Sequence, residues 1–260
     1  MKFYTYHGAG NDFLLADNRE GAFSLDAVQV QRLCDRHFGF GSDGLMLLEA
    51  GRDGYAFTMT YYNPDGSGGM MCGNGGRCIV AFAADLGLAD FRFLAADGPH
   101  EAEILEAEGA VKTVRLAMKD VTVLDRLGEN EFFLDTGTRH FVRFVDDPDA
   151  LDLPSVAPPI RYDARFAPVG TNVNFVRWDG NVLYIRTWEK GVEGETLACG
   201  TGIVASALAA YLHEGLSCRE IPVRARGGSL RVAFRPEGPA FRSVFLTGPA
   251  EFVGTVDTNP

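Results

Sequence analysis

A chain of 260 residues, 46% hydrophobic and 23% charged, is long enough to bury one large core or two smaller ones without disulfide or metal staples. Its 35 acidic residues against 24 basic give a formal net charge of -11, and no Lys/Arg run relieves it, which excludes a general nucleic-acid or anionic-membrane surface. Five cysteines, at 34, 72, 78, 199 and 218, are an odd number in a chain of this size, which argues against a disulfide framework, and the gap between Cys72 and Cys78 does not match structural zinc spacing.

The opening segment, MKFYTYHGAGNDF, carries one Lys and then polar and Gly residues where a signal peptide needs an apolar stretch. The longest apolar run, near Ile203 to Leu212, is too short to span a bilayer. The expectation is a cytoplasmic protein acting on a small molecule, with no metal. Alternating segments at Tyr55 to Tyr61, Val111 to Met118, Phe141 to Val145, Val182 to Thr187 and Ser229 to Phe234 predict strands bounded by Gly, Pro and Asp turns. Asp146 to Pro159, with prolines at 148, 154, 158 and 159, predicts a loop.

Two segments share a pattern that the rest of the chain lacks. Met71 to Arg77 leads into the apolar run Cys78 to Ala84, and Ala198 to Gly202 leads into Ile203 to Ala210. Each reads Cys-Gly-polar-Gly followed by an Ala-rich stretch long enough for a buried helix, closed by Gly87 or Gly215. The two copies lie about half a chain apart, which predicts an internal duplication into two similar domains of α/β (α+β) class, residues 1–117 and 118–250. A weaker echo joins Gly10-Asn11-Asp12-Phe13 to Thr171-Asn172-Val173-Asn174-Phe175.

A helix start offers unpaired N–H groups and the positive end of the helix dipole. Glycines there let backbone approach a ligand closely, and a cysteine at that place has a lowered pKa. Two such starts facing each other would set thiols on opposite sides of one carbon: one removes a proton, the other returns one, and the N–H groups hold a carboxylate on which charge develops. No pyridoxal or nucleotide motif is present, so no cofactor is expected. Taken singly, Cys72 or Cys199 is as well read as a small core residue; the matched contexts favour chemistry. Cys34, Cys78 and Cys218 lack that context and are read as structural.

His7 to Phe13, Gly39-Phe40-Gly41-Ser42-Asp43-Gly44, Asn63-Pro64-Asp65-Gly66-Ser67, Met71 to Cys78, Asn172-Val173-Asn174-Phe175 and Gly194 to Gly202 resemble, in order, the motifs of the diaminopimelate epimerase family. The resemblance implies two domains, each a mixed sheet wrapped round a central helix, with a C-terminal strand at 251–260 returning to the first. It implies epimerisation of LL-diaminopimelate to the meso form for lysine and peptidoglycan synthesis, and a homodimer. Cys72 and Cys199 would be the acid/base pair, assisted by His140 and Glu189. Asn11, Asn63 and Asn172 would bind substrate, and the backbone at Gly73, Asn74, Gly200 and Thr201 would hold the reacting carboxylate.

Each role has a plainer alternative. Asn63 opens a good β-turn, Asn11 could hold a turn, His140 could be a core histidine, and Glu189 could sit in a solvated charge pair. The chain also departs from the family at two substrate positions, with Thr138-Arg139-His140 in place of Asn-Pro-His and Glu189-Lys190 in place of Glu-Arg. Thr138 still offers a hydroxyl, whereas Lys190 imitates a bidentate Arg clamp only as a point charge. A cofactor-independent racemase of histidine or an epimerase of a proline derivative therefore stays open. So do two other classes: a cysteine hydrolase pairing Cys72 with His140, which leaves the second motif unexplained, and a thiol redox sensor.

Overall fold

The computed structural model describes residues 2–69 and 71–258. The chain forms two compact units, Met1–Leu116 with Gly248–Pro260, and Ala117–Thr247. The second unit thus ends at 247, and the returning segment begins at 248 rather than 251; residues 259 and 260 of the expected return lie outside the described residues. Among the described residues no helix is long and apolar enough to cross a membrane.

In the first unit the strands are β1 (Lys2–Gly8), β2 (Asn11–Asn18), β3 (Leu45–Ala50), β4 (Phe57–Tyr62), β5 (Arg92–Ala95), β6 (Gly98–Glu108) and β7 (Val111–Ala117). They pair in sequence order, and the C-terminal strand pairs with both β7 and β1, which closes the ring. The β2–β3 and β4–β5 pairs are parallel and the others antiparallel. Helix α1 (Ala27–Cys34) links β2 to β3; Asp26 and Gln29 form a reciprocal capping box at its start. Its buried Val30 and Cys34 pack on Phe3, Leu14, Ala16, Leu45 and Leu47, one face of the sheet. Helix α2 (Gly73–Asp85) links β4 to β5 and is buried from Gly73 through Ala83. A helix buried on every side forms the centre of a core, and the apolar run 78–83 supplies most of it here. Gly87, at φ +85°, ends it in the left-handed conformation expected of a glycine cap.

The second unit repeats this plan. Its strands are β8 (Leu124–Arg126), β9 (Glu131–Asp135), β10 (Arg139–Phe144), β11 (Asn172–Trp178), β12 (Leu183–Glu189), the short β13 (Gly194–Thr196), β14 (Glu220–Ala225), β15 (Gly228–Glu237) and β16 (Ala240–Asp257). The order is β8-β9-β10-β11-β12-β14-β15-β16, and a bridge between Val121 and Phe241 joins its ends. Only β10–β11 and β12–β14 are parallel. Residues 248–257 of β16 are the strand that closes the first unit. Helix α5 (Gly200–His213), buried from Gly202 through Ala210, occupies the place of α2, between the second parallel pair. The fold class and the two-copy architecture read from the sequence hold.

Two expectations fail. The stretch 146–159 is not a plain loop but carries a 3-10 turn and two short helices, α3 (Leu153–Val156) and α4 (Pro158–Arg161). The prolines that suggested a loop stand in first turns, where a fixed φ favours helix and the missing N–H costs nothing. Leu153, Ala157 and Ile160 pack on Phe141, Val173 and Phe175, as α1 packs on its sheet. The echo of residues 10–13 in 171–175 is not structural either. By pairing pattern β2 corresponds to β10 and β3 to β11, so Asn11 matches the region of Arg139, and Asn172 opens a different strand.

Candidate active site

Cys72 and Cys199 are the N-cap residues of α2 and α5, both extended (φ -106°, ψ 124° and φ -108°, ψ 109°), and neither side chain caps its helix. The first-turn N–H groups are therefore not consumed by the cap residue, the condition a helix start needs to hold an anion. Cys72 is half-buried and Cys199 is 6% exposed. The other cysteines carry no such setting: burial raises the thiols of Cys34 and Cys78 above their ordinary pKa, and Cys218 is exposed.

Around Cys72 the hydrogen bonds run in one direction. The fully buried Arg77 donates from Nη2 to Asn74 Oδ1 (2.9 Å), Asn74 Nδ2 donates to Asn11 Oδ1 (3.2 Å), and Asn11 Nδ2 donates to Asp43 Oδ2 (2.7 Å). A guanidinium can only donate and a carboxylate can only accept, so the ends of this chain fix both amide orientations. Cys72 Sγ then lies 3.8 Å from Asn11 Oδ1 as a thiol donor. Asp43 is held in turn by Arg36, which also grips Asp12. Gly8 lets the start of α2 lie against β1, because a Cβ there would come 2.9 Å from Asn74 O. Three sequence motifs thus meet at one thiol.

Around Cys199 the groups are hydroxyls and an imidazole. Cys199 Sγ is 3.5 Å from Thr201 Oγ1; His140 Nε2 is 2.9 Å from both Thr201 Oγ1 and Thr138 Oγ1, and the two hydroxyls are 3.1 Å apart. Thr136 Oγ1 donates to Thr201 O (3.0 Å), tying the helix start to the β9–β10 turn. Burial pushes His140 down to about 3, so it is neutral near pH 7 and works through hydrogen bonds rather than charge. A ring so disfavoured from taking charge is a weak proton acceptor, which counts against the hydrolase pairing.

Of the other expected residues, Asn172 is committed to backbone: its Nδ2 donates to Arg139 O (2.9 Å) and its Oδ1 accepts from Lys190 N (2.8 Å), which sets the positions of both. Glu189 accepts from Thr196 Oγ1 (2.9 Å) across β12–β13. Asn63 donates to Ser67 Oγ (2.9 Å) within its own turn, where Gly66 at φ +78° lies against Ala27. Residues not singled out beforehand are Arg77, Asp43, Thr136 and Asn174. Asn174 had a signal, since Asn-Val-Asn puts two amides on one face of an otherwise apolar strand.

Gly202 sits where α5 meets this cluster: a Cβ would come 2.6 Å from Asn174 Oδ1 and 3.3 Å from the His140 ring. Gly202→Ala gains up to about 1 kcal/mol of helix propensity, but the clash is with groups locked by hydrogen bonds. We expect a net loss of about 1–2 kcal/mol in thermal or denaturant unfolding. Gly75→Ala, whose nearest neighbour is the flexible Met46 at 3.1 Å, serves as the milder control.

The diaminopimelate epimerase family model matches residues 3–123 and 132–253. The chain is 43% identical over 257 residues to diaminopimelate epimerase of Flavobacterium psychrophilum, covering 97% of this chain and 98% of that one. It is 41% identical to that of Chlorobaculum tepidum over 96% and 98% of the two chains. Among solved structures, a phenazine biosynthesis protein of the PhzF family from Bacillus anthracis superposes with a TM-score of 0.74 over 100% of this chain and 99% of that one, at 14% identity, which is a likeness of fold.

Proposed function

This chain belongs to the diaminopimelate epimerase family and is an isomerase; from that premise we propose that it interconverts LL- and meso-diaminopimelate by proton transfer at the α-carbon, using one thiol from each unit. The observation that carries the mechanism is the repeated one: in two barrels of matching topology, the central helix begins at a cysteine that leaves its own helix start uncapped.

A thiolate takes the α-proton and becomes a thiol; the other thiol gives its proton to the opposite face and becomes a thiolate. The negative charge left on carbon spreads into the carboxylate, where backbone N–H groups at Gly73 and Asn74 and at Gly200 and Thr201 stabilise it. Asn11 positions Cys72, while Asn172 acts by holding Thr138-Arg139 and Lys190 for the rest of the substrate. His140 assists Cys199 as a neutral hydrogen-bonding group, and Glu189 is assigned to the same proton transfers. Thiols in this role need reducing surroundings, which a cytoplasmic location would supply, and the product would serve lysine and peptidoglycan synthesis.

The test is to incubate the protein with LL-diaminopimelate in heavy water under reducing conditions, following stereochemistry and α-hydrogen exchange together. Formation of the meso isomer carrying solvent deuterium is expected. Exchange into a different amino acid, with none into diaminopimelate, would replace the substrate; no exchange into any amino acid would overturn the reaction.

A further inference from the structure

Asn174, on β11, lies outside the groups assigned to substrate or proton transfer, yet it is fully buried against His140. Its Nδ2 makes two contacts, to Phe141 O at 2.9 Å and to His140 Nδ1 at 3.2 Å, while its Oδ1 accepts from Thr187 Oγ1 at 2.9 Å. A backbone carbonyl accepts and never donates, so the amide cannot be turned the other way without setting two oxygens against each other. Its NH2 therefore faces the imidazole, and Nδ1 must be the unprotonated nitrogen. A neutral ring then carries its proton on Nε2.

This choice of tautomer decides what the hydroxyls can do. Nε2, Thr138 Oγ1 and Thr201 Oγ1 form a triangle with sides of 2.9, 2.9 and 3.1 Å. If Nε2 accepted, a hydroxyl proton would be spent on the ring. With Nε2 donating, two protons serve the three sides and one hydroxyl proton is left pointing outward. Thr201 is the hydroxyl next to a sulfur, at 3.5 Å from Cys199. We infer that Asn174 is a positioning residue that holds His140 in the Nε2–H form, so that the Thr201 hydroxyl donates to Cys199 and favours its thiolate. Gly202, without a Cβ, makes room for this pair under the helix. Cys72 is oppositely placed, facing an amide oxygen that accepts from the thiol. The polarity of the two hydrogen-bond systems thus assigns the resting enzyme a thiolate at Cys199 and a thiol at Cys72. The assignment rests on the two-thiol reading above, but its test needs no substrate and so fails or succeeds separately.

The first measurement is the nitrogen NMR spectrum of histidine-labelled wild-type protein, with His140 identified by its loss in a His140→Gln variant. A protonated Nε2 and bare Nδ1 near neutral pH are expected; a proton on Nδ1 overturns the inference. The second is the rate of iodoacetamide alkylation of Cys199, read by peptide mass. Thr201→Val should slow it about tenfold, the worth of one hydrogen bond to a charged group, and leave the tautomer unchanged. Asn174→Asp should move the ring proton to Nδ1 and slow alkylation comparably. In the double variant the rate should be no lower than in Thr201→Val alone, because both act through one hydroxyl. Additive slowing would mean that the new carboxylate acts by charge, and a wild-type rate in Thr201→Val would mean that the hydroxyl does not serve the sulfur; either result overturns the relay. The wild-type spectrum and the Thr201→Val rate stand even if Asn174→Asp fails to fold.

Discussion

Cys72→Ala and Cys199→Ala each lose epimerisation of diaminopimelate by about a hundred- to ten-thousandfold in kcat, the range lost when a positioned general acid or base is removed. The losses should be of a particular kind. Each variant retains one thiol, which can still exchange an α-hydrogen presented to its own side but cannot invert the centre. In heavy water the two variants should therefore incorporate deuterium into opposite diastereomers, each without forming the other. A hydrolase or a redox sensor gives no such complementarity. The serine variants add a control on stability. Neither cysteine caps its helix in the native structure, and serine is among the best N-cap residues, so Cys72→Ser and Cys199→Ser should melt at or above the parent temperature. They should nevertheless be inactive. A serine that caps would occupy a helix N–H group that the substrate carboxylate needs, and its hydroxyl is far less acidic than a thiol. A variant that is equally stable and inactive locates the loss in chemistry; one that unfolds would point instead to a structural cysteine.

The parts of this site legible in the sequence are those whose residue types are unusual in their local setting. A cysteine between an extended segment and Gly-Asn-Gly or Gly-Thr-Gly is a poor cap and a costly helix start, so its repetition was a signal of function over stability. The central helices could be read because each follows its cysteine with an Ala-rich, largely apolar run long enough for a buried helix. What could not be read was long-range pairing. Asn11 and Asn172 share a local motif, yet one sits opposite a thiol and the other ties down backbone, since strand correspondence depends on pairings that no local pattern records. The short helices after Asp147 were missed because proline marks a loop and a first helical turn equally well. Asn174 and Asp43 were missed because their work is to orient other side chains, a role visible only once donors and acceptors are paired in space.

Arg77→Met should cost roughly 3 kcal/mol, and the reason lies in what the guanidinium satisfies. Arg77 has no exposed surface, and among the described residues it pairs with no carboxylate. It donates instead to Gly73 O (3.1 Å), Asn74 Oδ1 (2.9 Å) and, through Nε, Pro249 O (3.3 Å), which joins the start of α2 to the returning part of β16. At the same distance from the other cysteine, α5 carries Val204, so the repeated fold does not itself require a cation there. Two effects oppose. Removing a buried charge recovers its desolvation cost, which already holds the guanidinium below its ordinary pKa, and this is why some buried ions can be exchanged for apolar groups without loss. Methionine, however, takes the side-chain donor away from Gly73 O, Asn74 Oδ1 and Pro249 O, at about 1–3 kcal/mol for each acceptor left unsatisfied. The acceptors prevail, and the melting temperature should fall by roughly 6–12 °C. Amide exchange should rise first in residues 249–257, where the strand loses its tie to the helix. Arg77→Lys, able to reach some of these acceptors but not to fork between them, should fall between the two. Activity should decline further than stability in both variants, because Asn74 then loses the donor that fixes its amide and, through Asn11, the setting of Cys72. An Arg77→Met protein melting at the parent temperature would show that desolvation outweighs the three hydrogen bonds.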